Sequence, residues 1–145
     1  MATETINITL ADPAARIPKQ GTEGSAGLDL YSTQSINIAP GQRCPVTTGV
    51  KLHLPSHLAG FIWPRSGLAV HEGAMVMAGL IDPDYRGEIM VVIYNAGHSD
   101  LEIRAGDRVG QLVIQPFVMP ELREVPRLSA DTQRGTQGFG STGKK

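Results

Sequence analysis

Hydrophobic and polar residues alternate with a period of two along much of the chain. The clearest alternation covers 6–10, 36–38, 50–54 and 61–63. Such a pattern places one face of a segment inward and the other outward, which is typical of half-buried β-strands. The segment EIMVVIYN (88–95) is apolar at most positions on both faces and predicts a central or interface strand. The chain is therefore predicted to consist mainly of short β-strands.

Turn signals separate these strands at Pro40-Gly41, Asn95-Ala96-Gly97 and Ala105-Gly106-Asp107. Short, evenly spaced strands joined by such turns predict an all-β sandwich or jelly roll. One short helix is predicted over 67–72, with Ser66 as its N-cap and Gly73 ending it.

The apolar pattern stops near Ser129. The last segment, SADTQRGTQGFGSTGKK, has no hydrophobic periodicity and has the composition of a flexible tail. The sequence therefore predicts two parts: a β-domain at 1–128 and a flexible, glycine-rich segment at 129–145.

Composition supports a globular domain and limits its partners. The chain has 145 residues, of which 41% are hydrophobic and 19% charged, and this length is that of one ordinary domain. The formal net charge is −1, without the basic face that avid nucleic-acid binding needs, so no nucleic-acid partner is expected. A small anionic ligand is compatible with this charge, because a few arginines suffice to bind one.

Cellular context is suggested by three features. The one cysteine, Cys44, cannot form an intrachain disulfide. The first residues, MATETINITL, lack the basic and apolar regions of a signal peptide. The longest apolar run, IMVVIY (89–94), is too short to cross a bilayer. We therefore expect a soluble, intracellular protein without a membrane partner, in the cytoplasm, with a nuclear location left open.

The tail contains a near match to a phosphate-binding P-loop. Four residues separate Gly138 from Gly143, and Lys144 follows. Lys145 stands where a P-loop needs Ser or Thr, and no strand precedes the segment, so a P-loop is excluded. The remaining features are turned backbone N–H groups, the charge of Arg134 and the ring of Phe139, which together suit a mobile lid over an anionic ligand.

Two stretches combine turn residues with charges, and each has a structural explanation as well as a functional one. PRSGLA (64–69) is either an ordinary capped turn with a surface arginine or an anion site. AGLIDPDYRGE (78–88) contains a favourable β-turn, Asp-Pro-Asp-Tyr, and its carboxylates, tyrosine and arginine could equally form a catalytic corner.

Two further stretches place a polar residue inside an apolar strand. In AGLDLYS (26–32), strict alternation predicts that Asp29 faces solvent, away from its leucine neighbours. In GDRVGQLVIQP (106–116), Gln111 is either an edge or surface residue or an amide offered to a ligand.

Histidine catalysis and a metal held by protein side chains are both disfavoured. His53 and His57 are separated by Pro55, which argues against a helix that would align them. No cysteine or histidine cluster has zinc spacing, and no G-x-S-x-G elbow is present. The pair His71 and Glu72 has no interpretation from sequence.

Taken together and in order, five stretches resemble the motifs of the trimeric dUTP pyrophosphatases (dUTPases). They are AGLDLYS, PRSGLA, AGLIDPDYRGE, RVGQLVIQ and RGTQGFGSTG, and the resemblance covers residues 24–143. It implies a jelly-roll subunit, a homotrimer with active sites between subunits, and hydrolysis of dUTP to dUMP and pyrophosphate with Mg²⁺ as cofactor. That reaction would keep uracil out of DNA and supply dUMP for thymidylate synthesis.

The resemblance implies roles for the residues of the third motif. Asp82 would be the general base that orients a water molecule onto the α-phosphorus, since aspartate carboxylates are ordinarily ionised at neutral pH. Tyr85 would lie beneath the deoxyribose and exclude a 2′-hydroxyl. The backbone of Gly79, Leu80 and Ile81 would pair with the uracil edge and exclude a 5-methyl group.

The resemblance also implies how the triphosphate is held. Arg65, Ser66, Gly67 and Gln111 would bind the phosphate chain. Magnesium would bind the phosphate oxygens and keep its waters, which Asp29 would contact only through water, and Asp107 would support Arg65. The glycine-rich tail would close as a lid over a neighbouring subunit's nucleotide, with these residues in contact: Arg134 on the γ-phosphate, Phe139 on uracil, and Gly140, Ser141 and Thr142 on the phosphates.

Three alternatives are open at this point. A dCTP deaminase has a similar fold, but Val70 and Val92 stand where its motifs carry an arginine and a catalytic glutamate. A non-catalytic nucleotide-binding or protein-binding module is disfavoured by the presence of Asp82, Tyr85 and Arg134. A plain jelly-roll oligomerisation domain would not explain the tail.

Overall fold

The described chain is made of short antiparallel strands and one helical turn. A computed structural model describes residues 4–129 and 131–136. Its elements, in chain order, are β1 (Asn7–Leu10), β2 (Lys19–Gln20), β3 (Leu28–Tyr31), β4 (Ile36–Ile38), β5 (Arg43–His53), β6 (Leu58–Trp63), a π-helix (Leu68–Glu72), β7 (Ala74–Met77), β8 (Leu80–Ile81), β9 (Ile89–Asn95), β10 (Leu101–Ile103) and β11 (Arg108–Pro116).

These strands form three antiparallel sheets. A four-stranded sheet has the order β1-β5-β9-β7, and a five-stranded sheet has the order β2-β3-β11-β6-β8; β10 and β4 form a small third sheet. Most neighbours within a sheet are distant in sequence, as in Greek-key and jelly-roll folds. The core contains buried residues from both large sheets, including Leu30, Val46, Val91, Ile93 and Leu112. The predicted all-β jelly roll is confirmed.

Strand β9 was predicted as a central strand, and it lies between β5 and β7. Its residues alternate in burial: Ile89, Val91 and Ile93 point into the core, whereas Met90 is 42% exposed. Met75 and Met77 of β7 are also exposed and lie beside this outward face. The second apolar face of the strand is therefore uncovered in a single chain.

The helix lies where the sequence predicted it, but its winding and its N-terminus differ. Residues 68–72 form a π-helix, and Gly67 is the N-cap without a side-chain cap hydrogen bond. The predicted capping role of Ser66 was wrong, because Ser66 already lies within the helical turn and no side chain caps its start. Gly73 ends the helix in the left-handed conformation, as predicted, with a φ of 71°.

The chain leaves the sheets after Pro116 and continues as an irregular arm. Four of its apolar side chains are between 80% and 89% exposed: Val118, Met119, Leu122 and Leu128. Apolar residues at such exposure bury nothing within their own chain. Among the described residues, no helix has the length and apolar character needed to cross a membrane.

Candidate active site

A cleft of about 200 Å³ opens beside residues 78–81, which lead from β7 in the four-stranded sheet to β8 in the five-stranded sheet. We call these residues the hairpin segment, although β7 and β8 are not paired with each other. Five of its lining residues are predicted from the sequence to act in catalysis or in base and sugar binding, and Ala78 directly precedes them. The complete lining is Ile62, Ala78, Gly79, Leu80, Ile81, Asp82, Tyr85, Glu88 and Met90. The third motif therefore folds into one concave surface, although the roles of its residues stay predictions.

The backbone of the hairpin segment has an unusual conformation at its first two residues. Ala78 has a φ of 61°, in the left-handed region that L-residues other than glycine rarely adopt, and Gly79 follows with a φ of 120°. A Cβ at position 79 would lie 3.0 Å from the carbonyl oxygen of Ile62. The Gly79 carbonyl in turn accepts the Ile62 N–H at 2.8 Å. This close approach fixes the hairpin segment against β6 and directs its backbone along the cleft.

Asp82 begins the β-turn that the sequence predicts. The Tyr85 N–H donates to the Asp82 carbonyl at 3.1 Å and closes the turn. Arg86 braces it by donating from Nη1 to the carbonyls of Pro83, at 2.6 Å, and Tyr85, at 3.0 Å. The Asp82 side chain is exposed on this braced turn. The carboxylate is thus accessible to water while its backbone is held in place.

Tyr85 lies against the chain that follows it. Its hydroxyl donates to the Glu88 carbonyl at 3.0 Å. A Cβ at position 87 would overlap the Tyr85 ring, so glycine at that position permits the contact. The sequence interpretation gave Glu88 no role. Its place in the turn motif, just after the Tyr-Arg-Gly triplet, was the only signal for it.

A second group of polar residues centres on Asp29 of β3. Its Oδ1 lies 3.2 Å from Arg65 Nε, and its Oδ2 lies 3.3 Å from Arg108 Nη1. Asp29 is only 7% exposed. The interpretation of Asp29 as a solvent-facing carboxylate was wrong, because β3 lies between β2 and β11 and the two arginines cover this face. A buried carboxylate needs such partners, and two guanidinium groups supply them.

The expected support of Arg65 by Asp107 was wrong. The Asp107 carboxylate instead accepts the backbone N–H of Arg104 at 2.8 Å and closes the β10–β11 turn. Asp29 holds Arg65 in its place. Arg108 belongs to the same group and was given no role, although it is the first residue of the fourth motif, RVGQLVIQ.

Gln111 links the fourth motif to the second. Its Nε2 donates to the Pro64 carbonyl at 3.0 Å. In the sheet register it lies directly between Asp29 of β3 and Trp63 of β6. The edge or surface interpretation was wrong, because β11 is an interior strand and Gln111 is half-buried. Trp63, beside it, is 55% exposed.

The two groups are separate within one chain. Among the described residues, the hairpin cleft is lined by none of the predicted phosphate ligands, which are Arg65, Ser66, Gly67 and Gln111. Ser66 and Gly67 are exposed at the start of the π-helix. Arg134 lies in the described segment 131–136 and is exposed. The predicted lid contacts Phe139, Gly140, Ser141 and Thr142 lie outside the described residues.

Protein ligands for a metal are not gathered anywhere in the described part of the chain. No group of three or more His, Cys, Asp or Glu residues there could hold a metal ion. Asp29, the one carboxylate predicted to face a metal through water, is ion-paired with arginines on both oxygens. A divalent cation at this site would therefore take most of its oxygen ligands from the phosphates and from water.

An exposed carboxylate on a braced turn is accessible for proton transfer, and a separate arginine–amide group has the chemistry to bind an anion. This combination is what a hydrolase acting on phosphate compounds needs. The dUTPase family model matches residues 14–143. The chain belongs to the dUTPase family, and the resemblance found in its five motifs is confirmed.

Several relatives are similar to this chain in sequence or in structure. The deoxyuridine 5'-triphosphate nucleotidohydrolase of Candida albicans is 40% identical over 144 residues, covering 99% of this chain and 91% of that protein. The enzyme of the same name from Anaeromyxobacter sp. is 48% identical over 134 residues, covering 91% and 90%. Among solved structures, the Staphylococcus bacteriophage 80alpha dUTPase with dUPNHPP has a TM-score of 0.91 at 26% identity, covering 97% of this chain and 99% of that one.

Proposed function

We propose that this protein hydrolyses dUTP to dUMP and pyrophosphate, with Asp82 as the general base. The observation that carries this is the exposed Asp82 carboxylate on a turn braced by Arg86, inside the same cleft as Tyr85 and the hairpin backbone. Membership of the dUTPase family supports the reaction.

The Asp82 carboxylate accepts a proton from a water molecule as the water oxygen attacks the α-phosphorus. A new oxygen–phosphorus bond forms, the bond from the α-phosphorus to the bridging oxygen breaks, and pyrophosphate leaves. A positioned general base contributes typically 10²–10⁴-fold to a rate. The braced turn matters because such a base must stay within hydrogen-bond reach of its water.

The hairpin segment and Tyr85 select deoxyuridine. The backbone at Gly79, Leu80 and Ile81 pairs with the uracil edge, and a 5-methyl group or an exchanged donor–acceptor pattern does not fit there. Tyr85 lies under the sugar and leaves no space for a 2′-hydroxyl. The contact of its hydroxyl with the Glu88 carbonyl supports a fixed ring.

The phosphate chain is bound by Arg65, Ser66, Gly67 and Gln111. The ion pair with Asp29 uses Arg65 Nε, which leaves the terminal nitrogens of the guanidinium for phosphate oxygens. Magnesium on those oxygens would neutralise charge on the leaving pyrophosphate. Asp29 contacts the waters of that ion at most, because arginines already occupy its two oxygens.

The active form is a homotrimer with sites between subunits. Two observations support this assembly. The hairpin cleft and the Arg65 group are separate in one chain, so a site that uses both is completed by a neighbour. The apolar face of Met75, Met77 and Met90 and the arm after Pro116 expose hydrophobic side chains that further copies would bury. The segment 129–145 then acts as the lid of a neighbouring site, with Arg134 on the γ-phosphate.

The test is pyrophosphate release in the presence of magnesium from dUTP, dCTP, TTP and UTP. We expect release from dUTP alone, and a fall of at least about 100-fold in Asp82→Asn. Asp84→Asn is the matched control, because it removes an exposed carboxylate from the same turn. Equal losses in the two variants, or full activity in Asp82→Asn, would contradict the assignment of the base.

A further inference from the structure

Strand β5 contains a bulge at Thr48 and Gly49. Its pairing with β9 shifts register between residues 47 and 50, so these two residues lie outside the regular ladder. A bulge of this kind leaves backbone N–H groups without partners on the neighbouring strand. Gly49 has a φ of 66°, and a Cβ there would lie 2.5 Å from the Cβ of Ala15. The bulge is therefore built into the packing of the domain.

Glu88 supplies the missing partner. Its Oε1 accepts the Thr48 N–H at 3.1 Å and the Gly49 N–H at 2.8 Å. Next to it, the Thr48 hydroxyl donates to the Ile89 carbonyl at 2.5 Å, and Thr48 is fully buried. The half-buried Glu88 side chain thus ties the end of the third motif to the bulge of β5.

The main chain of Glu88 faces the cleft. Its carbonyl accepts the Tyr85 hydroxyl at 3.0 Å, and Glu88 and Tyr85 both line the cleft. Glu88 therefore binds the bulge of β5 through its carboxylate and the Tyr85 hydroxyl through its carbonyl. Since Tyr85 is 42% exposed, this hydrogen bond is an important restraint on the position of its ring.

We propose that Glu88 is a positioning residue that fixes the Tyr85 ring and thereby sets the discrimination between deoxyribose and ribose. This rests on the proposed function, in which Tyr85 excludes the 2′-hydroxyl. Exclusion of the 2′-oxygen requires the Tyr85 ring to keep its position. A displacement of the ring on the order of 1 Å weakens this exclusion strongly. Without the carboxylate, two N–H groups of the bulge lose their acceptor, the main chain at 88 shifts, and the ring shifts with it.

The test compares kcat/KM for dUTP with kcat/KM for UTP. Glu88→Gln keeps an oxygen acceptor, and we expect its dUTP/UTP ratio to stay within about twofold of the unmodified protein. Glu88→Met has a similar length but no comparable acceptor, and we expect its ratio to fall about tenfold or more. Glu102→Met, which removes an exposed glutamate from β10, is the matched control and leaves the ratio unchanged.

Two further variants separate positioning from stability and folding. Val46→Ala creates a cavity at a fully buried site of β5, and we expect it to lower the melting temperature without changing the ratio. Tyr85→Phe removes the hydroxyl that binds the Glu88 carbonyl and leaves the core intact. We expect it to lower the ratio, and it decides the question if Glu88→Met does not fold.

The possible results distinguish this inference from the proposed function. If Tyr85→Ala lowers the dUTP/UTP ratio but a folded Glu88→Met does not, the role of Glu88 is wrong and that of Tyr85 stands. An unchanged ratio in Tyr85→Phe, with Glu88→Met unfolded, overturns the inference equally. If Tyr85→Ala leaves the ratio unchanged, the proposed role of Tyr85 fails and the inference fails with it.

Discussion

The Asp29 carboxylate of β3 binds Arg65, just beyond the end of β6, across the intervening strand β11, with 3.2 Å between Oδ1 and Nε. Asp29 belongs to the first motif of the chain and Arg65 to the second, so this pair joins two stretches that are distant in sequence. The same carboxylate holds Arg108 on its other oxygen. Arg65, the proposed phosphate ligand, is therefore oriented by an acid that is nearly buried.

Asp29→Asn should weaken substrate binding more than catalysis. The change removes the charge that orients Arg65, so we expect KM for dUTP to rise about tenfold, with a smaller change in kcat. Stability should fall by about 1–3 kcal/mol, because both arginines lose an ionic partner in a partly buried place. Steady-state kinetics and urea unfolding measure the two effects.

Asp107→Asn is the matched control for this prediction. It changes an acidic residue near the same strand, but its carboxylate binds the Arg104 N–H and not Arg65. A rise in KM of the same size in both variants would show that the Asp29–Arg65 pair has no special role in phosphate binding.

Gly79→Ala should destabilise the hairpin segment. The position has a φ of 120°, and the added Cβ would lie 3.0 Å from the Ile62 carbonyl oxygen, so both backbone strain and crowding oppose the change. We expect a loss of about 1–3 kcal/mol in the free energy of unfolding, and weaker binding of dUMP. Gly24→Ala has open space around it and should change stability by less than about 0.5 kcal/mol. Similar values for the two alanines would refute this account of the hairpin segment.

The double variant Met77→Glu, Met90→Glu should dissociate the proposed trimer. The two methionines belong to the exposed apolar face beside β9, and burying unpaired carboxylates in an interface is costly. We expect light scattering to give the mass of three chains for the unmodified protein and of one chain for the variant. Ile17→Glu changes an exposed apolar residue away from that face and should stay trimeric. A trimeric double variant would place the interface elsewhere.

A truncation after Asp131 should remove activity and keep the fold. The sheets end at Pro116, so the melting temperature of the domain should change little. The kcat/KM for dUTP should fall about 100-fold or more, because the proposed lid and its arginine are lost. Removal of Lys144 and Lys145 alone is the control, since the family match ends at residue 143. Full activity in the shorter chain would end the lid hypothesis.

Periodicity located β1, β4, β6 and the end of β5, because alternation depends on local sequence. A run that is apolar on both faces located β9 and its central position, and turn chemistry located the Asp82–Tyr85 turn. The third motif was found as a unit because its residues are contiguous and line one cleft. The reaction and the other candidate site residues were predicted from the order of the five motifs, through the family that they resemble.

Local sequence patterns did not predict the contacts between segments that are distant in the chain. Alternation says that Asp29 and its neighbours face opposite sides, but it does not say which side is covered, and the covering residue Arg108 is 79 positions away. The same holds for Glu88 and the bulge of β5, since no local pattern announces a register shift. The predicted cap at Ser66 was wrong because the helical turn begins before Gly67, and the local sequence does not distinguish a serine at the N-cap from one inside the first turn.

The position of Trp63 has a practical consequence. It is the only tryptophan of the chain, it is 55% exposed, and it stands opposite Gln111 in the sheet, one residue before Pro64 and Arg65. If the phosphates bind at Arg65 and Gln111 as proposed, we expect them to change the solvation of the indole. The protein would then carry its own optical probe beside the proposed phosphate site, and intrinsic emission would follow nucleotide arrival and pyrophosphate departure without a label.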